Sequence, residues 1–399
     1  MPIDEIKNKI QKQKKMLVIL FPGDLKASRL LLFFRSFVKI GFDLDIHIIS
    51  PKPLIEKYHA EYPVKYHQLS TLFSARILGY LLYLLYSIFV LLFFLKNELK
   101  ENNYVFISHE HNLPFLFLSK IIFHKYTVYD QREMFLYGFS NKRPRFSFLE
   151  NVIEKILVRK IDCVLTIDSH NELWADRYRN IISNVHVIYN VPSVLGIDQD
   201  TIRKNIVERN LDRNVDIVMV GGIGKYEGIE SIIHAVELIP KIFFRIHLIG
   251  YIDEIFINNL LGTYKKGKTN YNLNVLNWMN YNDLVKYISR FHVGIMTKKP
   301  GIGQYSLIGR GQSRKPFTYM HAGLPVIAPN HNSVALQVEE EKCGLRVDIK
   351  NPYAIAQAIK KIIDNHNQYV QMAFNGLEAI QQKYNWEIES KKLQTIFDE

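Results

Sequence analysis

The chain has 399 residues, 48% of them hydrophobic, enough for two domains of ordinary size with a core each. Its formal charge of +12 falls more heavily on residues 1–190 and suits an anionic membrane surface or a phosphorylated substrate, or else a merely solvated basic face; no nucleic-acid module is present and no nucleic-acid partner is expected. The two cysteines, Cys163 and Cys343, lie far apart without Cys-x-x-Cys or Cys/His spacing, so they indicate neither a disulfide framework nor structural zinc and fit a reducing cytoplasm.

The opening "MPIDEIKNKIQKQKK" is charged and lacks an apolar h-region, so it does not read as a secretory signal. A strand "MLVILF" (16–21) leads through Pro22, Gly23 and Asp24 to an apolar-periodic helix, "RLLLFFRSFVKI", which ends at Gly41, a natural left-handed cap. The strand "DLDIHII" (43–49) follows, and its aspartates read as solvated edge residues rather than as a metal-binding Asp-x-Asp. Next comes an apolar helix expected over 72–100. Its centre, "ILGYLLYLLYSIFVLLFFL" (77–95), is uncharged between Arg76 and Lys96 and approaches the roughly 20 residues a spanning helix needs. Strand-like runs stand on both sides of it, and a span would put them on opposite faces of a bilayer. The segment is therefore expected either as a buried crossover helix or as a helix in the membrane interface, with Tyr80, Tyr83 and Tyr86 along one side.

Strands "YVFIS", "YTVYD", "CVLTID" and "VHVIYN" then alternate with helices, which predicts a parallel sheet covered on both faces. The pattern breaks at "YNVPS" (189–193), and 194–214 are polar and charged. From "VDIVMVGG" a second alternating series runs through "FFRIHLIG", "NVLNW", "VGIMT" and "LPVIAP" to a helix "PYAIAQAIKKIIDN" and a helical tail. The expected fold class is α/β, with domains at 1–192 and 193–375 and a closing helix at 376–399. In doubly wound sheets ligands bind beyond the carboxyl ends of the strands, so the residues just after each strand carry the candidates.

Three stretches stand out. "VGGIGKYEGIESII" places Gly221, Gly222 and Lys225 between a strand and a helix, which suits a phosphate, although such glycines also occur for steric reasons alone. In "GQSRKPFTYM", Ser313 is placed to cap a helix and Pro316 to open it. Arg314 and Lys315 then stand where the helix dipole disfavours cations; binding a diphosphate would explain them, solvated loop side chains being the alternative. "FISHEHNLPF" sets His109 directly after a strand with Glu110 and His111 beside it. A histidine there can orient or take a proton from an acceptor hydroxyl; the competing readings are a zinc pair, for which no third ligand stands at sensible spacing, and a structural histidine.

Together these residues resemble the GT-B glycosyltransferases of family 4, over nearly the whole chain. "YVFISHEHN" is similar to the family's Asp-Val-Val-His-Ala-His strand end and "VYDQREMF" to its Tyr-Asp-x-His-Glu. "VMVGGIGKYEGIESIIHAVELI" resembles the strand-loop-helix that opens the donor domain, "RKPFTYMHAGLPVIAPN" the Lys-x-Phe-Glu-Tyr-Met-x-x-Gly-x-Pro-Val-Ile segment, and "YNWEIESKKLQTIFDE" the closing Trp-bearing helix. The resemblance implies two Rossmann-like doubly wound domains facing across a cleft, and a retaining, hexosyltransferase-like transfer from a nucleotide-diphosphate sugar, without metal or other cofactor. His109, with Glu110, would contact acceptor and transferred sugar; Gly221, Gly222, Lys225, Arg314 and Lys315 would face the diphosphate. Tyr251, Trp278 and Met279 sit where such enzymes hold the base, and Gly23, Asp130, Arg132 and Asn190 fall on the acceptor side. The chain departs from the pattern at four places. Thr318 replaces the ribose-binding glutamate, Arg310 its partner, Glu227 the lysine after the glycine-rich loop, and Arg132 a histidine. A threonine binds a hydroxyl singly and without charge. The expectation is a cytoplasmic enzyme, peripheral on the membrane's inner face, that glycosylates a lipid-linked or surface-glycan acceptor. The alternatives are an impaired relative that supports a partner transferase, or a sugar-nucleotide epimerase.

Overall fold

The computed structural model describes residues 14–20, 28–50, 62–68, 95–108, 112–131, 147–167, 175–211, 214–264, 270–297, 313–331 and 335–398. The chain divides into two compact units, residues 1–189 with 389–399, and residues 190–388. The last helix, Trp386–Asp398, runs from the second unit into the first. Each unit is built on one parallel sheet, as the two alternating series predict.

The first sheet has seven strands: β1 (Lys14–Leu20), β2 (Phe42–Ser50), β3 (Val64–Gln68), β4 (Tyr104–Ile107), β5 (Tyr126–Gln131), β6 (Cys163–Thr166) and β7 (Val185–Val187), in the order β3-β2-β1-β4-β5-β6-β7. Chain order reverses between β1 and β4, the point at which doubly wound sheets bind ligands. Residues 21–27, with Gly23, and 109–111, with His109 and Glu110, come directly after these two strands and lie outside the described residues. So do Arg132 and the apolar segment 77–94. Leu95, which is described, is buried ahead of the short helix Lys96–Glu101. Among the described residues, no helix is long and apolar enough to cross a membrane.

The second sheet has six strands: β8 (Asn214–Ile223), β9 (Phe243–Ile252), β10 (Tyr271–Asn277), β11 (Val293–Ile295), β12 (Val326–Pro329) and β13 (Gly344–Val347), in the order β10-β9-β8-β11-β12-β13. Its order reverses between β8 and β11. Six consecutive residues of β8, Val215–Val220, are buried, as a strand covered on both faces requires. Four of them, Val215, Ile217, Val218 and Met219, have no exposed surface at all, and burying such side chains contributes about 1.5–3 kcal/mol each. Low in this sheet Asp216 is buried. Burial alone would raise its carboxyl, but hydrogen bonds from His247, His292 and Arg245 outweigh that and hold it well below the usual carboxylate range.

The structure adds two elements to the sequence reading and corrects one expectation. The polar stretch 194–214 contains a helix, Gln199–Glu208, which buries only Ile202 and Ile206 and is capped by Asp198, whose carboxylate accepts from the amides of Asp200 and Thr201. The strand "VKYHQ" at the edge of the first sheet buries none of the side chains described in it, so it lacks the apolar run that marks the others. Ser313 caps nothing: helix Lys315–His321 has Arg314 at its N-cap without a side-chain bond, and the Ser313 hydroxyl lies 3.7 Å from the Met296 sulfur.

Candidate active site

At the carboxyl end of β8, Gly221 stands beside Gly250 of β9, and both have positive φ, +106° and +149°. A Cβ on Gly250 would sit 1.9 Å from the Gly221 carbonyl oxygen, so β9 approaches β8 this closely only with glycine at position 250. The next register pair, Gly222 and Tyr251, brings the predicted loop glycine alongside the first of the predicted base-binding residues. The chain then turns, with the Glu227 amide donating to Gly224 O at 3.0 Å, and Gly228 begins helix Ile229–Glu237 at φ +69°. The far end of this loop is fixed from the segment just after β11 (Val293–Ile295), where the Thr297 hydroxyl donates to Glu227 O at 2.5 Å.

Helix Lys315–His321 delivers the cations. The Lys315 stem crosses Gly221, its Cε 3.0 Å from where a Cβ would stand, and its ammonium pairs with the Glu227 carboxylate. Both side chains are largely buried, 16% and 11% exposed, so water screens the pair weakly. Glu227, read as a departure from the family pattern, is thus the partner of the residue expected to meet a diphosphate. Sequence spacing holds no hint of this, because the two are 88 positions apart. Arg314 takes another direction: its guanidinium lies over the Tyr281 ring, 5.5 Å from the centroid, and donates to Val191 O at 3.3 Å. Lys225 is exposed, with its ammonium 4.7 Å from the Tyr226 ring. The structure therefore brings Gly221 and Lys315 together and turns Arg314 towards Tyr281.

Thr318 is buried, and its hydroxyl donates to Arg314 O at 3.0 Å, a bond within its own helix, which leaves the oxygen as an acceptor. One turn on, burial lowers His321 to about 4, so it is neutral near pH 7. The Gln199 carbonyl accepts from Gln381, which leaves the Gln199 amide to donate to His321 Nε2 at 3.0 Å. On that assignment Nδ1 carries the proton and donates to the Tyr281 hydroxyl at 3.0 Å. Tyr251 and Trp278 stack with centroids 6.2 Å apart and planes 24° apart; both are more than half exposed, and Met279 beside them is half-buried.

In the first unit, Asp130 is fully buried and paired with Arg29 at 2.9 Å, and Arg29 also donates to Tyr189 O at 2.9 Å. That pair ties β5 to the helix after β1. Asn190 is half-buried at the start of the second unit. Among the described residues, no group of three or more His, Cys, Asp or Glu side chains is arranged to hold a metal ion.

Two parallel-sheet Rossmann-like units, the second with a glycine-rich turn and a lysine at its switch point, define the GT-B fold. Solved structures agree over almost the whole chain: the sucrose-phosphate synthase of Thermosynechococcus elongatus (TM-score 0.68, 16% identity, 96% of this chain and 98% of that one) and Anabaena HepE in complex with UDP (TM-score 0.66, 14% identity, 96% and 99%). Residues 214–365, within the second unit, match the family model described as glycosyl transferases group 1. An uncharacterized glycosyltransferase of Methanocaldococcus jannaschii is 23% identical over 257 residues, 63% of this chain; the match spans 62% of the relative's own length.

Proposed function

We propose that the protein is a glycosyltransferase. Its second unit binds a nucleoside-diphosphate sugar and its first unit presents the acceptor, a lipid-linked or surface glycan, with the hexosyl group transferred with retention. The reading is carried by Lys315, a largely buried ammonium laid across Gly221 at the switch point of the unit that matches the group 1 glycosyl transferases model. As the bond between the sugar's anomeric carbon and the diphosphate breaks, negative charge grows on the leaving oxygen. Fixed cations and amides in a water-poor site stabilise that charge most effectively. In this reading Lys315 and the amides of residues 221–228 meet it, Lys225 and Arg314 add longer-range attraction, and His109 orients the acceptor hydroxyl. Tyr251 and Trp278 offer the base a stacking surface. The apolar segment 77–95 and the basic front half support a place on the membrane's cytoplasmic face.

Because HepE was solved with UDP, UDP is the first nucleotide to try. A ligand that binds only the native state at 100 times its Kd stabilises it by about 2.7 kcal/mol. For a unit of this size that shifts Tm upward by roughly 5–10 °C. A thermal-shift series with nucleoside diphosphates and nucleotide sugars checks this, and no shift with any of them contradicts the reading.

The Glu227–Lys315 pair favours a second reading, a supporting partner without transfer activity, since the cation already has an anion in contact. Nucleoside diphosphate release from a nucleotide sugar, lost on Lys315→Ala, excludes it.

A further inference from the structure

The hydroxyl of Tyr319 occupies a fork in the second sheet. β8 pairs with β9 along its whole length, but with the three-residue β11 only through Ile217–Val293 and Val218–Gly294. Beyond those pairs the Tyr319 hydroxyl stands between the strands: it accepts from the Val220 amide at 3.0 Å and donates to the Ile295 carbonyl at 2.9 Å. A phenol can do both at once. Burial pushes this phenol well above its usual range, so it stays protonated and keeps its donor. The ring fits because residue 294 is glycine; a Cβ there would lie 2.3 Å from the Tyr319 ring. Beyond Ile295, β11 is held on its other side, with the Met296 amide donating to Ile327 O at 2.9 Å.

Each prong of the fork leads into one end of the glycine-rich loop. Val220 precedes Gly221, over which Lys315 lies. Two residues after Ile295 comes Thr297, whose hydroxyl holds Glu227 O and whose carbonyl Gly228 packs against. The two ends of the loop are thus anchored to the two strands that Tyr319 bridges. Lys315 stands one helical turn before Tyr319, so one helix sets both the cation and the separation of the loop's anchors.

We infer that Tyr319 is a positioning residue for donor binding, its hydroxyl fixing the gap between β8 and β11 and with it the position of residues 221–228 relative to Lys315. The inference rests on the reading of this loop as the donor-phosphate site. Tyr319→Phe in the full chain keeps the ring and removes only the hydroxyl. Amide exchange is expected to quicken about 10-fold at Val220 and across 221–228, corresponding to the loss of one buried hydrogen bond. The donor KM is expected to rise about 10-fold, with kcat changed less than about 2-fold, because a displaced loop loses binding rather than chemistry. Thr297→Val, which frees the loop from the segment just after β11 without touching the fork, should reproduce the KM effect. Faster exchange confined to Val220, or an unchanged donor KM, would overturn the inference. If the wild type transfers no sugar, the functional reading fails, and the exchange of 221–228 in Tyr319→Phe still decides whether the hydroxyl positions the loop.

Discussion

In the Lys315→Ala variant, donor kcat/KM falls about 100-fold and nucleoside diphosphate affinity falls with it. Removing one preorganised charge or donor from a developing anion costs roughly 2.7–4 kcal/mol, and no other side chain among the described residues crosses Gly221 as Lys315 does. The same substitution leaves the Glu227 carboxylate, 11% exposed, without its ammonium, and this lowers stability by roughly 1–3 kcal/mol. The two effects separate in a double-mutant cycle. Lys315→Ala with Glu227→Gln recovers most of the stability and none of the activity, whereas Glu227→Gln alone releases Lys315 and tightens diphosphate binding. Steady-state kinetics and denaturant melts on the four proteins measure both. Activity in the double variant close to that of wild type would remove Lys315 from the donor site.

Gly250→Ala unfolds the second unit at a lower temperature, by about 4–24 °C. Its φ of +149° lies in a region essentially confined to glycine, which costs a side chain about 1–3 kcal/mol. A Cβ would also stand 1.9 Å from the Gly221 carbonyl oxygen, on a partner strand that cannot give way without breaking its ladder. Overpacking of that kind adds about 1–3 kcal/mol, and each kcal/mol moves Tm by roughly 2–4 °C for a unit of this size. Gly222→Ala is the control. Nothing lies within 4 Å of a Cβ at Gly222 and its φ is unremarkable, so Tm stays within about 1–2 °C of wild type. Calorimetry of the two variants checks the contrast, and an equal loss in both would contradict it.

Both parallel sheets were legible because buried strands such as "VDIVMVGG" and "YVFIS" announce themselves as continuous apolar runs between helices. β3 was not, since an edge strand with Lys65 and His67 carries no such run, and neither was helix Gln199–Glu208, which buries two residues in a charged stretch. At the site, Gly221 and Lys315 were readable as types suited to phosphate, each from its own local motif. Their meeting was not, because it depends on β8 and β11 being neighbours, which is a matter of strand order. Glu227 shows the limit most plainly. By local pattern it is a negative charge in the wrong place, and only the fold reveals it as the counter-ion of Lys315. Tyr319 was hidden for the opposite reason: within "KPFTYM" it reads as an ordinary core aromatic, and its hydroxyl acquires a role only from the parting of two strands.

A crystal structure of the full chain with a nucleoside diphosphate tests the central claim most directly. The account predicts diphosphate oxygens within about 3 Å of Lys315 Nζ and of backbone amides in 221–228, with the Glu227 carboxylate displaced from the ammonium. A nucleotide bound elsewhere, with the Glu227–Lys315 pair intact, would contradict it.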